Sequence, residues 1–104
     1  MKIIAVTACP AGVAHTHMAA AALEAAAKKS GVKIKVEKQG AMGMENEIKA
    51  KEIADADALI LAVDTAITKS ERFNDIPTVK ASVAEAVKNA QELIDKAMNV
   101  ETNQ

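Results

Sequence analysis

Apolar residues follow one another almost without a break in two segments of the chain, residues 3–8 and residues 58–63. Runs of this kind are typical of central parallel strands that are covered on both faces. Residues 32–37 instead alternate apolar and charged side chains, which predicts a strand with one buried face and one wet face, at the edge of the sheet. Residues 76–79 predict a short last strand, and Pro77 within it indicates another edge position.

Helix signals lie between and after these strands. Residues 13–29 are rich in alanine and other strong helix formers, and Gly31 stands where a glycine commonly ends a helix. Asn46 predicts the cap of a short second helix. Ser82 begins a capping-box pattern, and the apolar residues after it repeat at helical spacing as far as Met98.

The remaining segments predict loops and a tail. Residues 39–45 contain two glycines and predict a loop, whereas residues 65–75 favour neither helix nor strand. Residues 99–104 are polar and predict a frayed tail, so that a single domain spans residues 1–98. The succession of strand, helix and strand predicts an α/β fold with a mostly parallel sheet and helices on its faces.

The composition narrows the classes of function. With 104 residues, 50% of them hydrophobic and 26% charged, the chain has the length of one domain and not of a multidomain enzyme. A net charge of -1 supplies no basic field, and Phe73 is the one aromatic residue, so we expect no nucleic-acid partner. The apolar run near Met1 is too short for a signal peptide or a membrane span, which predicts a cytoplasmic protein.

The segment with candidate chemistry begins at Cys9, the single cysteine, directly after the first predicted strand. Small residues and then a helix follow it, which places the thiol in the positive field of unpaired backbone N–H groups and suits a bound anion. Ala11, Gly12 and Ala14 leave room for these N–H groups to surround a phosphate, to which Pro10 donates none. The alternative is that Cys9 is a small buried apolar residue.

Other uses of these residues meet specific obstacles. A cysteine phosphatase needs an arginine where this chain has His15, and no Gly-rich nucleotide motif is present. Cys9, His15 and His17 do not form a metal site, because residues two apart on a helix point to nearly opposite sides. His15 keeps two candidate roles, a hydrogen bond to phosphate or a cap of the loop, while His17 is expected to be a solvated helix residue.

Three loops of the predicted fold converge at one edge of the sheet. Cys9, Gln39-Gly40 and Asp64 each follow a parallel strand, and ligands of such sheets bind beyond the carboxyl ends of the strands. No acidic partner for Mg²⁺ accompanies Asp64, which favours a helix cap or a solvated loop residue. Met42 and Met44 are expected to fill the core, with a transient docking surface as the alternative.

Several segments resemble the fructose-type IIB component of the bacterial phosphoenolpyruvate-dependent sugar phosphotransferase system. They are the C-P-x-G-x-A-H-T motif of residues 9–16 with the residues just before it, and residues 18–20, 36–40 and 71–73. The resemblance extends from about residue 2 to residue 98. The chain departs from the pattern at His17, where an aromatic is more usual, and at Ala21-Ala22, where Ala-Glu is expected.

The resemblance implies a fold and a function. The fold is a Rossmann-like three-layer α/β/α sandwich with a four-stranded parallel sheet in the order 2-1-3-4 and a phosphate-binding loop after the first strand. Cys9 accepts a phosphoryl group from a phosphohistidine on a IIA domain and donates it to a sugar, by default fructose, bound by the membrane component IIC. The implied phosphate-binding residues are Pro10, Ala11, Gly12, Val13, Ala14, His15 and Thr16.

We expect the isolated chain to be a monomer, and the resemblance implies that it meets the inner face of the membrane only through IIC. The transfer requires no metal or cofactor. Gln39, Gly40, Met42, Met44 and Asp64 are candidates for supporting or docking residues around the site. The alternatives are a regulatory phosphate-binding module or a phosphatase-like protein without the arginine, and mannose or mannosylglycerate in place of fructose.

Overall fold

The computed structural model describes residues 1–9, 13–40, 43–74 and 76–100. Strands and helices alternate along the chain, as the sequence predicts for an α/β fold. The elements are β1 (Lys2–Ala8), α1 (Val13–Lys29), β2 (Lys33–Gly40), β3 (Gly43–Glu45), α2 (Ala50–Asp55), β4 (Ala58–Val63), a 3₁₀ turn (Ser70–Phe73), β5 (Thr78–Ala81), α3 (Val83–Lys88) and α4 (Ala90–Val100).

The central sheet is mixed and has five strands in the order β3-β2-β1-β4-β5. β1 is parallel to both β2 and β4, β5 is parallel to β4, and β3 is antiparallel to β2. The prediction of a four-stranded, entirely parallel sheet is therefore wrong, because residues 39–45, predicted as a loop, contain the end of β2 and all of β3. β3 takes the edge position predicted for β2, whereas β5 lies at the other edge as predicted.

One face of the sheet packs against α1, α3 and α4. Alanine supplies much of this core, and a smaller number of larger side chains, Ile3, Leu23, Ile60, Leu93 and Ile94, complete it. Because alanine carries only a methyl group, the helices approach the strands closely. The buried alanines are Ala5, Ala58 and Ala62 of the sheet, Ala19, Ala20, Ala26 and Ala27 of α1, Ala86 of α3, and Ala90 and Ala97 of α4.

The opposite face of the sheet carries a second, smaller core beneath α2 and the 3₁₀ turn. Its buried residues are Ile4, Val6, Ile48, Leu59 and Phe73. Helical elements therefore lie on both faces of the sheet, which agrees with the architecture predicted from the sequence. Among the described residues, no helix is both long and apolar enough to cross a membrane.

Lys35 and Glu37 of β2 lie on this second face and are partly or fully buried, whereas Lys33 is exposed. Lys35 Nζ donates to both carboxylate oxygens of Glu52 in α2, each at 2.8 Å. Glu37 is fully buried beside Arg72 of the 3₁₀ turn. The prediction of a wet face for residues 32–37 therefore holds for Lys33 and is wrong for Lys35 and Glu37, because a period of two shows which side chains share a face but not what covers that face.

Two helix ends follow the signals in the sequence. Gly31 adopts a φ of 74° after α1, and the N–H of Val32 donates to the carbonyl of Ala27 at 3.0 Å, which closes the helix as a glycine at this position commonly does. At the start of α3, Ser82 Oγ accepts from the N–H of Glu85 at 3.1 Å, and the Glu85 carboxylate accepts from the N–H of Ser82 at 3.1 Å. The predicted capping box is thus confirmed.

Other helix boundaries differ from the prediction. Asn46 does not cap α2; its backbone has a φ of 58° and its side-chain amide donates to the carbonyl of Val36 at 3.1 Å. The predicted last helix is divided into α3 and α4 at Asn89, whose φ of -130° and ψ of 40° are not helical. α4 continues to Val100, so it includes the first residues of the predicted tail, and residues 101–104 lie outside the described part of the chain.

Candidate active site

Cys9 directly follows β1 and is 8% exposed. The register of the sheet places Ala8 beside Gln39 of β2 and Val63 of β4, and the N–H of Asp64 donates to the carbonyl of Ala8 at 2.9 Å. The carboxyl ends of three parallel strands therefore meet beside the thiol. The structure thus brings Cys9, Gln39 and Asp64 to one edge of the sheet, as the sequence predicts.

The amino end of α1 lies four residues beyond Cys9 in the chain. α1 begins at Val13 and has no acidic side chain in its first turn. The first N–H groups of an α-helix carry partial positive charge and attract anions, and a carboxylate among them would compete with such a ligand. Of the predicted phosphate-binding residues, Pro10, Ala11 and Gly12 lie outside the described residues, and Val13 and Ala14 are described only as the start of α1.

The two histidines of α1 have different neighbours. His15 is exposed, and its Nδ1 lies 3.8 Å from Cys9 Sγ, which is the reach of a weak hydrogen bond to sulfur. His17 Nε2 lies 3.4 Å from Glu45 Oε2 of β3, and both of these side chains are largely exposed. His17, which is predicted to be solvated, is therefore exposed and has Glu45 as a surface partner. The imidazole next to the Cys9 thiol is that of His15.

Thr16 is almost completely buried, with 2% exposed. Its carbonyl accepts a hydrogen bond of 3.3 Å from the hydroxyl of Thr7 in β1. The contact fastens the first turn of α1 to the strand that ends at Cys9. Thr16 therefore helps to hold the helix end and the thiol in a fixed relation.

A cavity of about 390 Å³ opens beside Cys9. It is lined by residues from the end of β1, from α1, from the loop after β4 and from α3, namely Cys9, His15, Met18, Asp64, Val83, Ala84, Val87 and Lys88. Met18 contributes an exposed apolar side chain to this lining, with 53% of its surface accessible. The sequence indicates Cys9, His15 and Asp64, but nothing in it shows that α3 packs beside α1, so Met18, Val87 and Lys88 could not be found in that way.

Asp64 lies at this cavity and also caps a helix. Its Oδ1 accepts from the N–H of Val83, the first residue of α3, at 3.1 Å. A carboxylate at a helix amino end is favourable because it satisfies an N–H group that has no partner within the helix. The helix-cap role considered from the sequence is therefore what the structure shows for Asp64.

The other candidates for docking residues lie at the end of β2 or follow it. Gln39 is 7% exposed, and its side-chain amide is bonded to the backbone of Thr68 in both directions. Gly40 is exposed and pairs with Gly43 of β3. Met44 is half-buried, with its sulfur 3.7 Å from Gln39 Nε2. Met42 lies outside the described residues.

A buried ion pair next to Gln39 could not be found from the sequence. Glu37 accepts two hydrogen bonds from the guanidinium of Arg72, both 3.0 Å, one from the Ile48 N–H at 2.9 Å and one from Gln39 Nε2 at 2.6 Å. Burial raises the pKa of the Glu37 carboxyl, but the hydrogen bonds from Arg72, Gln39 and Ile48 outweigh burial and leave that pKa below its usual range. The Arg72 guanidinium also lies 4.5 Å from the centre of the Phe73 ring.

Comparison with known proteins identifies the family. A family model described as the lactose/cellobiose-specific IIB subunit of the PTS system matches residues 4–96. The fructose-like EIIB component 2 of Escherichia coli (strain K12) is 53% identical over 95 residues, which cover 91% of this chain and 90% of that protein. The 2-O-alpha-mannosyl-D-glycerate-specific EIIABC component of the same organism is 50% identical over 98 residues, 94% of this chain and 15% of that protein.

A solved structure agrees with this assignment. The crystal structure of a domain from the fructose-specific IIABC component of Borrelia burgdorferi is 45% identical, covers 95% of this chain and 94% of that domain, and superposes with a TM-score of 0.89. In the EIIABC relatives the matching region is therefore one part of a longer chain that also holds the A and C functions. The chain belongs to the IIB subunit family of the sugar phosphotransferase system, with fructose-type relatives, and is a phosphoryl-transfer relay subunit of the phosphotransferase class.

Proposed function

We propose that Cys9 is the residue on which this subunit carries the phosphoryl group. The observation that carries the proposal is the position of its thiol, which lines a cavity at the carboxyl ends of three parallel strands with His15 Nδ1 3.8 Å away. Ligands of open α/β sheets bind at this edge, and the thiolate is a strong nucleophile. The residues proposed to hold the phosphate are those of the loop and first helical turn, residues 10–16.

The first step brings the phosphoryl group onto sulfur. The Cys9 thiolate attacks the phosphorus of a phosphohistidine on IIA, so that an S–P bond forms while the P–N bond breaks and the imidazole nitrogen keeps the electron pair. The N–H groups at the start of α1 stabilise the negative charge on the three equatorial oxygens. His15 and Lys88, which both line the cavity, add positive or hydrogen-bonding groups on its sides. Catalysis is thus positioning and electrostatic stabilisation.

The second step passes the phosphoryl group to the sugar. A sugar hydroxyl attacks phosphorus, an O–P bond forms, the S–P bond breaks, and Cys9 leaves as a thiolate. The hydroxyl proton passes to a base at the sugar site of IIC. Phosphocysteine is therefore a covalent intermediate that divides one transfer between two proteins into two steps.

The partners follow from the relatives. The EIIABC chains combine A, B and C functions, so we assign a IIA domain as phosphoryl donor and a membrane IIC component with its bound sugar as acceptor. Fructose is the proposed sugar because two of these relatives are named for fructose, and mannosylglycerate is the second candidate because a relative named for it is 50% identical. We further propose that residues 1–98 act as one monomeric domain in the cytoplasm, which reaches the membrane through IIC.

The decisive experiment compares wild type with Cys9→Ser, using a phosphohistidine IIA protein as donor. Wild type should take up label that thiol-directed cleavage with iodine removes, and Cys9→Ser should take up little, since a serine hydroxyl is barely ionised near neutral pH. Far-UV circular dichroism of both proteins controls for folding. Full uptake by Cys9→Ser, or label on His15 or His17, would contradict the proposal; release of phosphate to water without transfer to a sugar would indicate a hydrolase instead.

A further inference from the structure

Two segments that share the resemblance to the IIB family but take no part in the phosphoryl steps meet in the fold. Residues 36–40 form the end of β2, and residues 71–73 form most of the 3₁₀ turn. Glu37 from the first segment and Arg72 from the second make the buried ion pair, with two parallel hydrogen bonds of 3.0 Å. The separation of 35 positions along the chain makes this a tertiary contact and not a local one.

The same cluster fastens the loop that follows β4. Gln39 Oε1 accepts from the N–H of Thr68 at 2.9 Å and Gln39 Nε2 donates to the carbonyl of Thr68 at 3.2 Å, so the side-chain amide pairs with this residue as a neighbouring strand would. Arg72 Nε donates to the carbonyl of Lys69 at 2.8 Å. Two consecutive loop residues are thus held by side chains that are anchored on Glu37.

The fastened loop borders the candidate active site. We call residues 64–69 the rim; all of them except Ile67 are exposed. The rim begins at Asp64, which lines the same cavity as Cys9. A protein donor has to bring its phosphorus within about 3–3.5 Å of the thiol, so its surface must cover the residues around the cavity mouth. Because Asp64 belongs to that lining, the rim begins within the surface that such a donor would cover.

A buried ion pair is weak evidence for a gain in stability, because desolvation of the two charges offsets most of their attraction. The clearer effect of the Glu37–Arg72 pair is that it helps to hold the exposed, irregular rim in one defined conformation. A loop that is already ordered loses less conformational entropy when a partner binds it. We propose that Gln39 is a positioning residue. Together with Glu37 and Arg72, it holds the rim in the conformation bound by the phosphohistidine-bearing donor. This inference rests on the proposed function at Cys9.

The test is Gln39→Met, which keeps the size of the side chain and removes its bonds to Thr68 and to Glu37. Glu37 keeps its bonds from Arg72 and from the Ile48 N–H. Thr68 is exposed, so its backbone groups can bond to water and the variant is expected to fold. With a phosphorylated IIA protein as donor, we expect KM to rise about tenfold and kcat to change less than about twofold, because the variant disorders the rim but leaves the thiol in place. The rate at which iodoacetamide alkylates Cys9 should be unchanged.

The matched control is Glu52→Gln, which breaks the ion pair with Lys35 on the same face of β2 but farther from the edge that holds Cys9. It should leave KM unchanged. The inference is overturned if Gln39→Met leaves KM unchanged, if it lowers kcat or the alkylation rate without raising KM, or if Glu52→Gln raises KM as much. Uptake of the phosphoryl label by a Cys9→Ser protein would refute the proposed function itself. That result is separate from the three results that overturn the positioning role of Gln39.

Discussion

Replacing Arg72 by methionine leaves the carboxylate of Glu37 buried without its counter-charge. The substitution keeps the apolar stem of the side chain and removes the guanidinium. With it go two hydrogen bonds to Glu37, one to the carbonyl of Ile48 at 2.9 Å and one to the carbonyl of Lys69 at 2.8 Å. Glu37 keeps the bonds from the Ile48 N–H and from Gln39, which cannot neutralise its charge.

The expected loss of stability is large for a protein of this size. Removing one partner of a buried ion pair costs about 3–5 kcal/mol, and two charge-assisted hydrogen bonds at about 1.5–3 kcal/mol each give a similar figure. A domain of this length unfolds with about 5–15 kcal/mol in total, so the variant should lose about a fifth or more of its stability. Glu52→Gln should cost much less, because the Lys35–Glu52 pair is partly exposed and solvent screens it.

The loss should depend on pH with a definite sign. In wild type the pKa of Glu37 is lowered, so its contribution is present above the ordinary carboxyl pKa and is lost as pH falls through the folded-state value. In Arg72→Met burial dominates and raises that pKa, so the variant is penalised increasingly as pH rises above the ordinary value. The difference in unfolding free energy between the two proteins should therefore shrink as pH falls from about 7 to about 4.5.

Urea unfolding followed by far-UV circular dichroism measures these differences, and suits a chain whose one aromatic residue is Phe73. The double variant Glu37→Gln with Arg72→Met should recover much of the loss at about pH 7, because it leaves no buried charge. A loss below about 1 kcal/mol for Arg72→Met at about pH 7, or a loss of equal size at about pH 4.5, would refute the reasoning.

Two further outcomes test other parts of the structure. Gly31→Ala should lower the free energy of unfolding in urea by about 1 kcal/mol, because a φ of 74° disfavours any side chain even though no atom lies within 4 Å of the added Cβ. An unchanged free energy of unfolding would show that the end of α1 adapts. His15→Gln should slow phosphoryl transfer from a phosphorylated IIA protein by about a hundredfold or less without abolishing it, since the backbone donors of α1 remain. His17→Gln should leave the rate unchanged. A slower rate for His17→Gln together with an unchanged rate for His15→Gln would contradict the placement of His15 beside Cys9.

The elements that the sequence predicts correctly are those whose signal is local. The nearly continuous apolar runs of β1 and β4 reflect burial on both faces, and the end of α1 is set by Gly31, which lies within two residues of the helix. The capping box at Ser82 is likewise complete within four residues. In each case the residues that make the structure are neighbours in the chain, so their pattern is sufficient.

The features that could not be predicted depend on distant residues. Glu37 is expected to be wet because it alternates with apolar neighbours, and its burial is caused by Arg72, 35 positions later. β3 has three residues, of which Gly43 disfavours a strand, and it exists because the edge of β2 supplies its hydrogen bonds. The division between α3 and α4 at Asn89 is not visible either, since apolar residues continue at helical spacing across it.

The alanines between α1 and the sheet have a consequence beyond close packing. Ala19, Ala20, Ala26 and Ala27 are buried on α1, and the same helix carries His15 near its amino end. A larger side chain at any of these positions would tilt or displace the whole of α1, because a helix moves as a rigid unit. The small size of these alanines therefore helps to set how far the His15 imidazole stands from the Cys9 thiol, and under the proposed function the smallest side chains of the core would help to set the reaction geometry.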